Sequence, residues 1–305
     1  MFDSRVPLDV NMNIISLMTG IITEGLIYSI MAYGIYISLK ILDFPDLSTD
    51  GTFPLGMACA ITCILKGVNP FLSLAAAFLL GTVFGALTGF LNVKFRFKDI
   101  LCGIITMTAL YSVNYTIVGK PNEFLSIDAK TVFSVIPQES PLFPYRYLIV
   151  SAVLAIIFKV LLDLYLSTKS GFLLRAAGDN ENLIVTLAKN PGKVKITGLA
   201  LANGLIATSG AIYLQYIKSF NVSAGTGSLV IGLAAVIIGT SIFGKIRFIK
   251  PTTGVIAGMI IYKAFISAAM LLGLQPKDTN LIVAVLFVAV MVLGNRKNSA
   301  LGRNS

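Results

Sequence analysis

Residues 196–217 read ITGLALANGLIATSGAIYLQYI, a run with no charged side chain, flanked by Lys193 and Lys195 on one side and Lys218 on the other. About 20 consecutive apolar residues span the hydrocarbon core of a bilayer as a helix, so this lysine-bounded run predicts a membrane crossing. The pattern recurs in both directions along the chain. Further spans are expected at Ile14–Ile41, Pro70–Val93, Asp99–Val118, Tyr147–Leu166, Ser228–Phe243, Thr253–Leu272 and Leu281–Leu293. Thr52–Leu65 is shorter and contains Pro54 and Gly56. It reads as a broken or re-entrant segment, tolerable at membrane depth when packed against other helices.

Composition supports the same reading. Hydrophobic residues make up 56% of the chain and charged residues 12%, and mean hydropathy is +0.85. A soluble domain carries about a quarter charged residues. The expected fold is an all-α polytopic transmembrane bundle of eight or nine spans, with residues 1–305 forming one integral membrane domain. The first apolar run lacks a basic flank and a small-residue cleavage site, so no cleavable signal peptide is expected.

The basic residues set the orientation. Fifteen of the 24 Lys and Arg fall around Lys40, Lys94–Lys98, Lys169–Lys195, Lys245–Lys250 and the tail after Gly294, and seven fall on the opposite side. Positive charge is retained on the cytoplasmic side, which places the C-terminus inside and, for nine spans, the N-terminus outside. The net charge of +10 is thereby explained by contact with anionic lipid heads, without a nucleic-acid partner.

No enzyme constellation is present. The chain has no histidine, and its three cysteines (Cys59, Cys63, Cys102) lie in apolar runs. Neither a metal site nor a cofactor is expected. Gly239–Lys245 has the spacing of a phosphate loop, but Ile246 stands where Mg²⁺ coordination needs Ser or Thr.

Polar groups within the spans are few and mark functional candidates. Glu24 lies well inside the first run and Lys263 inside a late one, so Glu24 either balances Lys263 or lines a solute pathway. Lys159 and Asp163 stand four residues apart and are expected to pair. Thr106, Thr108, Tyr111 and Asn114 add neutral polar groups to one span, Asn203 and Gln215 to another. The segment DFPDLSTDGTFP, residues 43–54, interrupts the apolar sequence with three carboxylates, two prolines and a glycine. A regular helix is not expected through it. It reads either as a polar interfacial turn or as an unwound element beside the solute route, with Asp50 touching solute or bracing its gate. The candidate path residues are Glu24, Asp50, Gly51, Phe53, Thr106 and Asn114.

Two loops are long. Residues 119–144, on the outer side, hold four prolines and form a docking surface or a connector. Residues 167–195, on the inner side, carry an apolar stripe at Phe172, Leu173, Ala176 and Ala177, then a second set at Leu183, Ile184 and Leu187. Asn190-Pro191-Gly192 ends the loop. An amphipathic helix–turn–helix at the membrane face is expected there. Gly81, Gly85 and Gly89 recur every four residues, a spacing that lets helix backbones approach closely.

The inner loop also carries a resemblance. Gly171-Phe-Leu-Leu-Arg175-Ala176-Ala-Gly178-Asp179-Asn180 resembles the G-x-x-x-R-A-x-G-x-N signature of permease subunits of bacterial ATP-binding-cassette importers, branched-chain amino-acid and ribose type. The stretch 199–244 is similar to that family's next two spans. DFPDLSTDGTF and MTALYSVN (107–114) resemble a subgroup labelled tryptophan/tyrosine-type or uncharacterised. Two departures stand out: Ala188-Lys189-Asn190-Pro191 follows Leu187, and Thr240 stands where the subgroup often has an acid.

The resemblance implies a bacterial inner-membrane permease that moves a small solute inward, with aromatic amino acids foremost. It implies a second permease copy, two ATPase subunits, an extracytoplasmic solute-binding lipoprotein and surrounding lipid as partners. The loop residues Gly171, Arg175, Ala176, Gly178, Asp179, Asn180 and Asn182 would contact the ATPase, with Arg175 as polar anchor and the two glycines allowing tight turns. The alternative is a secondary transporter driven by an ion gradient, for which only the 43–54 break and Glu24 speak.

Overall fold

Each long helix starts and stops where local chemistry dictates. Helix α3 (Pro70–Phe95) begins behind Asn69, whose side chain accepts the Phe71 N–H at 2.9 Å, and it ends at Arg96 in the left-handed conformation. Helix α8 (Pro191–Ile217) repeats this grammar, with Asn190 accepting from the Lys193 N–H, Pro191 at its first turn and Lys218 left-handed at its end. Both use the asparagine cap and first-turn proline that spare an orphan N–H.

The computed structural model describes residues 10–179, 181–186, 189–243 and 250–271, together with 285 and 288. The expected span Leu281–Leu293, apart from those two residues, lies outside them, as do Asn180 and the phosphate-loop-like Gly244–Ile246. The chain begins with α1 (Val10–Ile35), which continues as a π-helical turn, Tyr36–Ile41. Then come α2 (Thr49–Leu65), α3, α4 (Asp99–Val118), α5 (Arg146–Ser167), the short α6 (Lys169–Asp179) and α7 (Glu181–Thr186), α8, α9 (Ser228–Phe243) and α10 (Pro251–Leu271). Six of these are long and apolar enough to cross a membrane, counting α1 with its π-helical turn; α2 and α9 are shorter apolar helices. The protein is a polytopic all-α membrane bundle. Among the described residues the strands are one short pair, β1 (Asn122–Phe124) and β2 (Ser219–Asn221), antiparallel with Glu123 opposite Phe220.

Burial runs against hydropathy. Helix α8 has the lowest mean hydropathy of the long spans after rounding, 1.3, yet 78% of its central window is buried; α5, the highest at 2.3, is 22% buried. A lipid-facing helix must be apolar all round, whereas an enclosed one tolerates polar groups that find partners. Helices α8 and α2 form the core. Exposed Leu79 and Val83 of α3, Ile104 and Ile105 of α4, and Ile156 and Leu164 of α5 lie on the periphery.

Small residues set this core. A Cβ at Gly81 would overlap the Asn203 carbonyl, and one at Gly85 the Leu199 carbonyl, so the glycine stripe of α3 lies directly on the α8 backbone. A Cβ at Gly56 would overlap the Ala207 carbonyl, and one at Gly210 the Phe53 carbonyl, locking α2 to α8 in the same manner. Such backbone proximity replaces the hydrophobic drive that is absent between helices in lipid.

Candidate translocation site and coupling face

The site is built around the break between the π-helical turn and α2. Pro45 lacks an N–H and Asp43 adopts φ 52°, so residues 42–48 leave the helix. The helix resumes at Thr49, earlier than expected, and passes through Pro54. The proline costs only the hydrogen bond to the Asp50 carbonyl, against which Gly225 packs so closely that a Cβ there would overlap it.

A fully buried polar node pins the break to α8. The Asp46 carboxylate accepts the Ser48 N–H at 2.9 Å and the Asn203 side-chain amide at 2.7 Å. The Asn203 carbonyl oxygen in turn accepts the hydroxyls of Thr52 (2.7 Å) and Ser48 (3.2 Å). Asp46, Ser48, Thr52 and Asn203 are each 0% exposed. A carboxylate so enclosed requires these donors, because an unsatisfied one is costly.

Asp50 sits one turn further on, where two short helices meet end to end. Its carboxylate accepts the Gly227 N–H (2.9 Å), the Ser228 hydroxyl (2.9 Å) and the Leu229 N–H (3.0 Å) at the start of α9. The first turn of α2 and that of α9 thus share one carboxylate, which satisfies orphan N–H groups and complements two positive helix ends.

The remaining candidates fall into three places. Gly51 and Asn114 are together: the Asn114 amide donates to the Gly51 carbonyl at 3.0 Å, while its own carbonyl oxygen is buried without a partner. Phe53 stacks on Tyr28 with centroids 5.5 Å apart, and Tyr213 closes this cluster edge-on to Tyr28 at 5.0 Å. Glu24 adjoins it: the Lys263 ammonium bonds Glu24 at 3.0 Å and lies 3.7 Å from the Tyr28 ring centroid. Of the two readings for Glu24, charge balance with Lys263 is the geometry found. Thr106 stands apart, bonded to Thr88 of α3 at 3.0 Å. Lys159 and Asp163 pair at 2.9 Å, and Thr252 at 2.6 Å ties Asp163 to the first turn of α10. Thr240 donates to the Val236 carbonyl within its own helix at 2.8 Å.

Sequence reading noticed Asp46 and Asn203 singly and missed their union. The signal was an asparagine in the most buried span; what it faced was set by a contact across 157 positions.

At the lysine-rich end, α6 and α7 are two short helices, as expected in the 167–195 loop. Gly171 and Gly178 lie within α6 rather than at turns. A Cβ at Gly171 would overlap the Tyr165 carbonyl of α5, and one at Gly178 the Ile41 carbonyl at the end of the π-helical turn. The buried stripe is therefore Gly171, Leu174 and Ala176, whereas Phe172 is 61% exposed and Arg175 is exposed. Of the expected stripe, Ala176 is buried and Leu173 and Ala177 are half-buried, so Phe172 alone faces out, and glycine makes the contact with two helix ends. Asp179 ends α6 and Asn182 lies in α7.

This fold, a glycine-packed bundle with one helix break and two short helices at its centre and an amphipathic helix at one end, defines a membrane permease. The chain matches, over residues 17–291, the family described as "Branched-chain amino acid transport system / permease component", and it belongs to that family. It is 41% identical over 91% of its length to the "Tyrosine transport system permease protein" of Clostridioides difficile, covering 92% of that protein. It is 28% identical, over 79% of its length and 78% of the relative's, to the "Probable branched-chain amino acid transport permease protein LivH" of Methanocaldococcus jannaschii. With the "Ribose import permease protein RbsC" of Escherichia coli K12 it shares 26% identity, over 91% of this chain and 85% of that one. The protein is a multi-pass component of the bacterial inner membrane.

Proposed function

We propose that this chain is the membrane subunit of an ATP-binding-cassette importer that carries an amino acid of aromatic type inward on ATP hydrolysed by a separate subunit. The observation that carries this is the seating of α6. One face rests through Gly171 and Gly178 on the ends of α5 and α1, and the other presents Phe172 and Arg175 outward among lysines. The relative named for tyrosine transport supports the substrate class. Few charges within the spans also favour a small zwitterion over a multiply charged solute.

In this reading residues 1–305 act as one permease unit. Two copies enclose the path, two ATPase subunits dock on α6, and a solute-binding lipoprotein delivers solute to the 119–144 side. A push on α6 reaches Ile41 through Gly178 and enters the 42–48 break. The Asp46–Asn203 node and the Asp50 clamp hold the far side of that break, so displacement appears as rotation of α1 against α2 and α9 around Glu24, Gly51, Phe53 and Asn114. Packed helices move this way as rigid bodies.

Co-purification tests it. A tagged chain should bring down an ATPase, and Arg175→Glu should abolish that association and uptake together. Recovery of no ATPase, with uptake unchanged in R175E, would overturn the reading. The 42–48 break and the meeting of short helices α2 and α9 favour a gradient-driven transporter; uptake by the chain alone, without ATP, would establish that second reading.

A further inference from the structure

A slot of ≈ 300 Å³ opens on the bundle surface between α5 and α8. Phe158, Leu161 and Tyr165 of α5 face Leu201 and Leu205 of α8, with Phe78 of α3 at the far end. Every one of these is apolar save for the tyrosine hydroxyl. That hydroxyl lies 3.2 Å from the Ser170 hydroxyl of α6, which lines a neighbouring pocket of ≈ 110 Å³. Tyr165 lines both cavities, which lie next to each other along α5 and α8. Ser170, Lys193 and Thr197 supply the polar wall of the second. Leu173 lines both it and a third hollow, which Lys169 and Lys189 border.

The dimensions match one leaflet. At 1.5 Å per residue, the α8 face from Val194 to Leu205 is about 16 Å long, close to half of a hydrocarbon core of about 30 Å. A tyrosine marks the boundary between its dry and wet parts, as at membrane interfaces generally. The wet end is basic. No described acidic residue lines any of the three cavities, and Asp163, the acid on α5, is bound by Lys159 and by Lys250 at 3.4 Å.

We propose that this slot holds one anionic phospholipid of the lysine-rich leaflet. An acyl chain lies between α5 and α8, and the phosphate is held by the Lys193 ammonium with the Ser170 hydroxyl. The lipid head then touches α6 directly, so occupancy supports the helix that the ATPase would move. A zwitterionic lipid fills the same slot with less preference, because each juxtamembrane lysine adds attraction only for net negative charge.

The chain contains no tryptophan, so Leu201→Trp places a single fluorophore in the slot. Leu87→Trp places one at an exposed position on α3, away from it. Each chain would be titrated in bilayers with brominated phosphatidylglycerol or brominated phosphatidylcholine. In L201W, half-maximal quenching by the anionic lipid should come at a mole fraction lower by about fivefold for each lysine engaged, whereas L87W should not distinguish the lipids. Lys193→Gln in the L201W background should erase most of the preference, and Lys193→Arg should retain it. Coincident curves for the two lipids in L201W, or a preference untouched by K193Q, would overturn the proposal.

Discussion

The Asp50 carboxylate, on the first turn of α2, accepts the Leu229 N–H at 3.0 Å from the first turn of α9. With Gly227 and Ser228 bonded to the same group, two half-length helices are held end to end by one side chain. Charge-assisted bonds of this kind contribute about 1.5–3 kcal/mol. Asp50→Ala should therefore lower stability in a denaturant titration by that order, and Asp50→Asn by less, since its amide oxygen still accepts. Equal stability of D50A and the parent would remove the clamp from the account.

The buried node makes a sharper demand. Removing Asn203 leaves the Asp46 carboxylate short of a donor and the Ser48 hydroxyl without its acceptor, while the Thr52 hydroxyl keeps the Ser48 carbonyl at 3.0 Å. Asn203→Ala should cost about 1–3 kcal/mol. A double-mutant cycle with Asp46→Asn should return a coupling of about 0.5–3 kcal/mol. Additive effects would mean that the pair does not act as a unit.

Glu24 and Lys263 pair between α1 and α10 at 3.0 Å, with Glu24 36% and Lys263 13% exposed. Breaking a fully buried pair by removing one partner costs about 3–5 kcal/mol; the part-exposed glutamate brings this pair below that range. Glu24→Gln and Lys263→Met should each destabilise more than the double variant does, because each single change strands a charge. If the double variant is the worst of the three, packing rather than charge balance explains the pair.

Glycine positions separate seating from mere helix content. Gly56→Ala forces a methyl into the α8 backbone and should cost about 1–3 kcal/mol, while Gly20→Ala, with nothing within 4 Å of the new carbon, should be near neutral. Gly178→Ala should leave membrane insertion intact yet lower ATP-driven uptake at least tenfold, read against ATPase activity in the same preparation. Normal uptake in G178A would break the link from α6 to the α1–α2 break.

Much of this architecture was written in local sequence. Asparagine–proline starts, lysine-bounded apolar runs and the four-residue glycine repeat of α3 each act within a turn or two, so they survive translation from pattern to structure. The break was legible too, because Pro45 with Asp43 and Asp46 beside it cannot continue an apolar helix. Its exact extent was not, since a proline at the sixth residue of α2 costs one bond that packing tolerates. Partnerships across the bundle were beyond the sequence: nothing near Asp50 announces Leu229, and nothing near Asp46 announces Asn203. On α6 the apolar stripe was legible at Ala176 and not at Phe172, which faces out because contact with two helix ends selects glycine.

Uptake into proteoliposomes is the most direct test of the central claim. The chain would be reconstituted with and without its ATPase and solute-binding protein, and radiolabelled tyrosine counted inside after an imposed Na⁺ or H⁺ gradient or after ATP addition. The account predicts accumulation only with all components and ATP, and none from a gradient. Tyrosine accumulation by the chain alone under either gradient would contradict it.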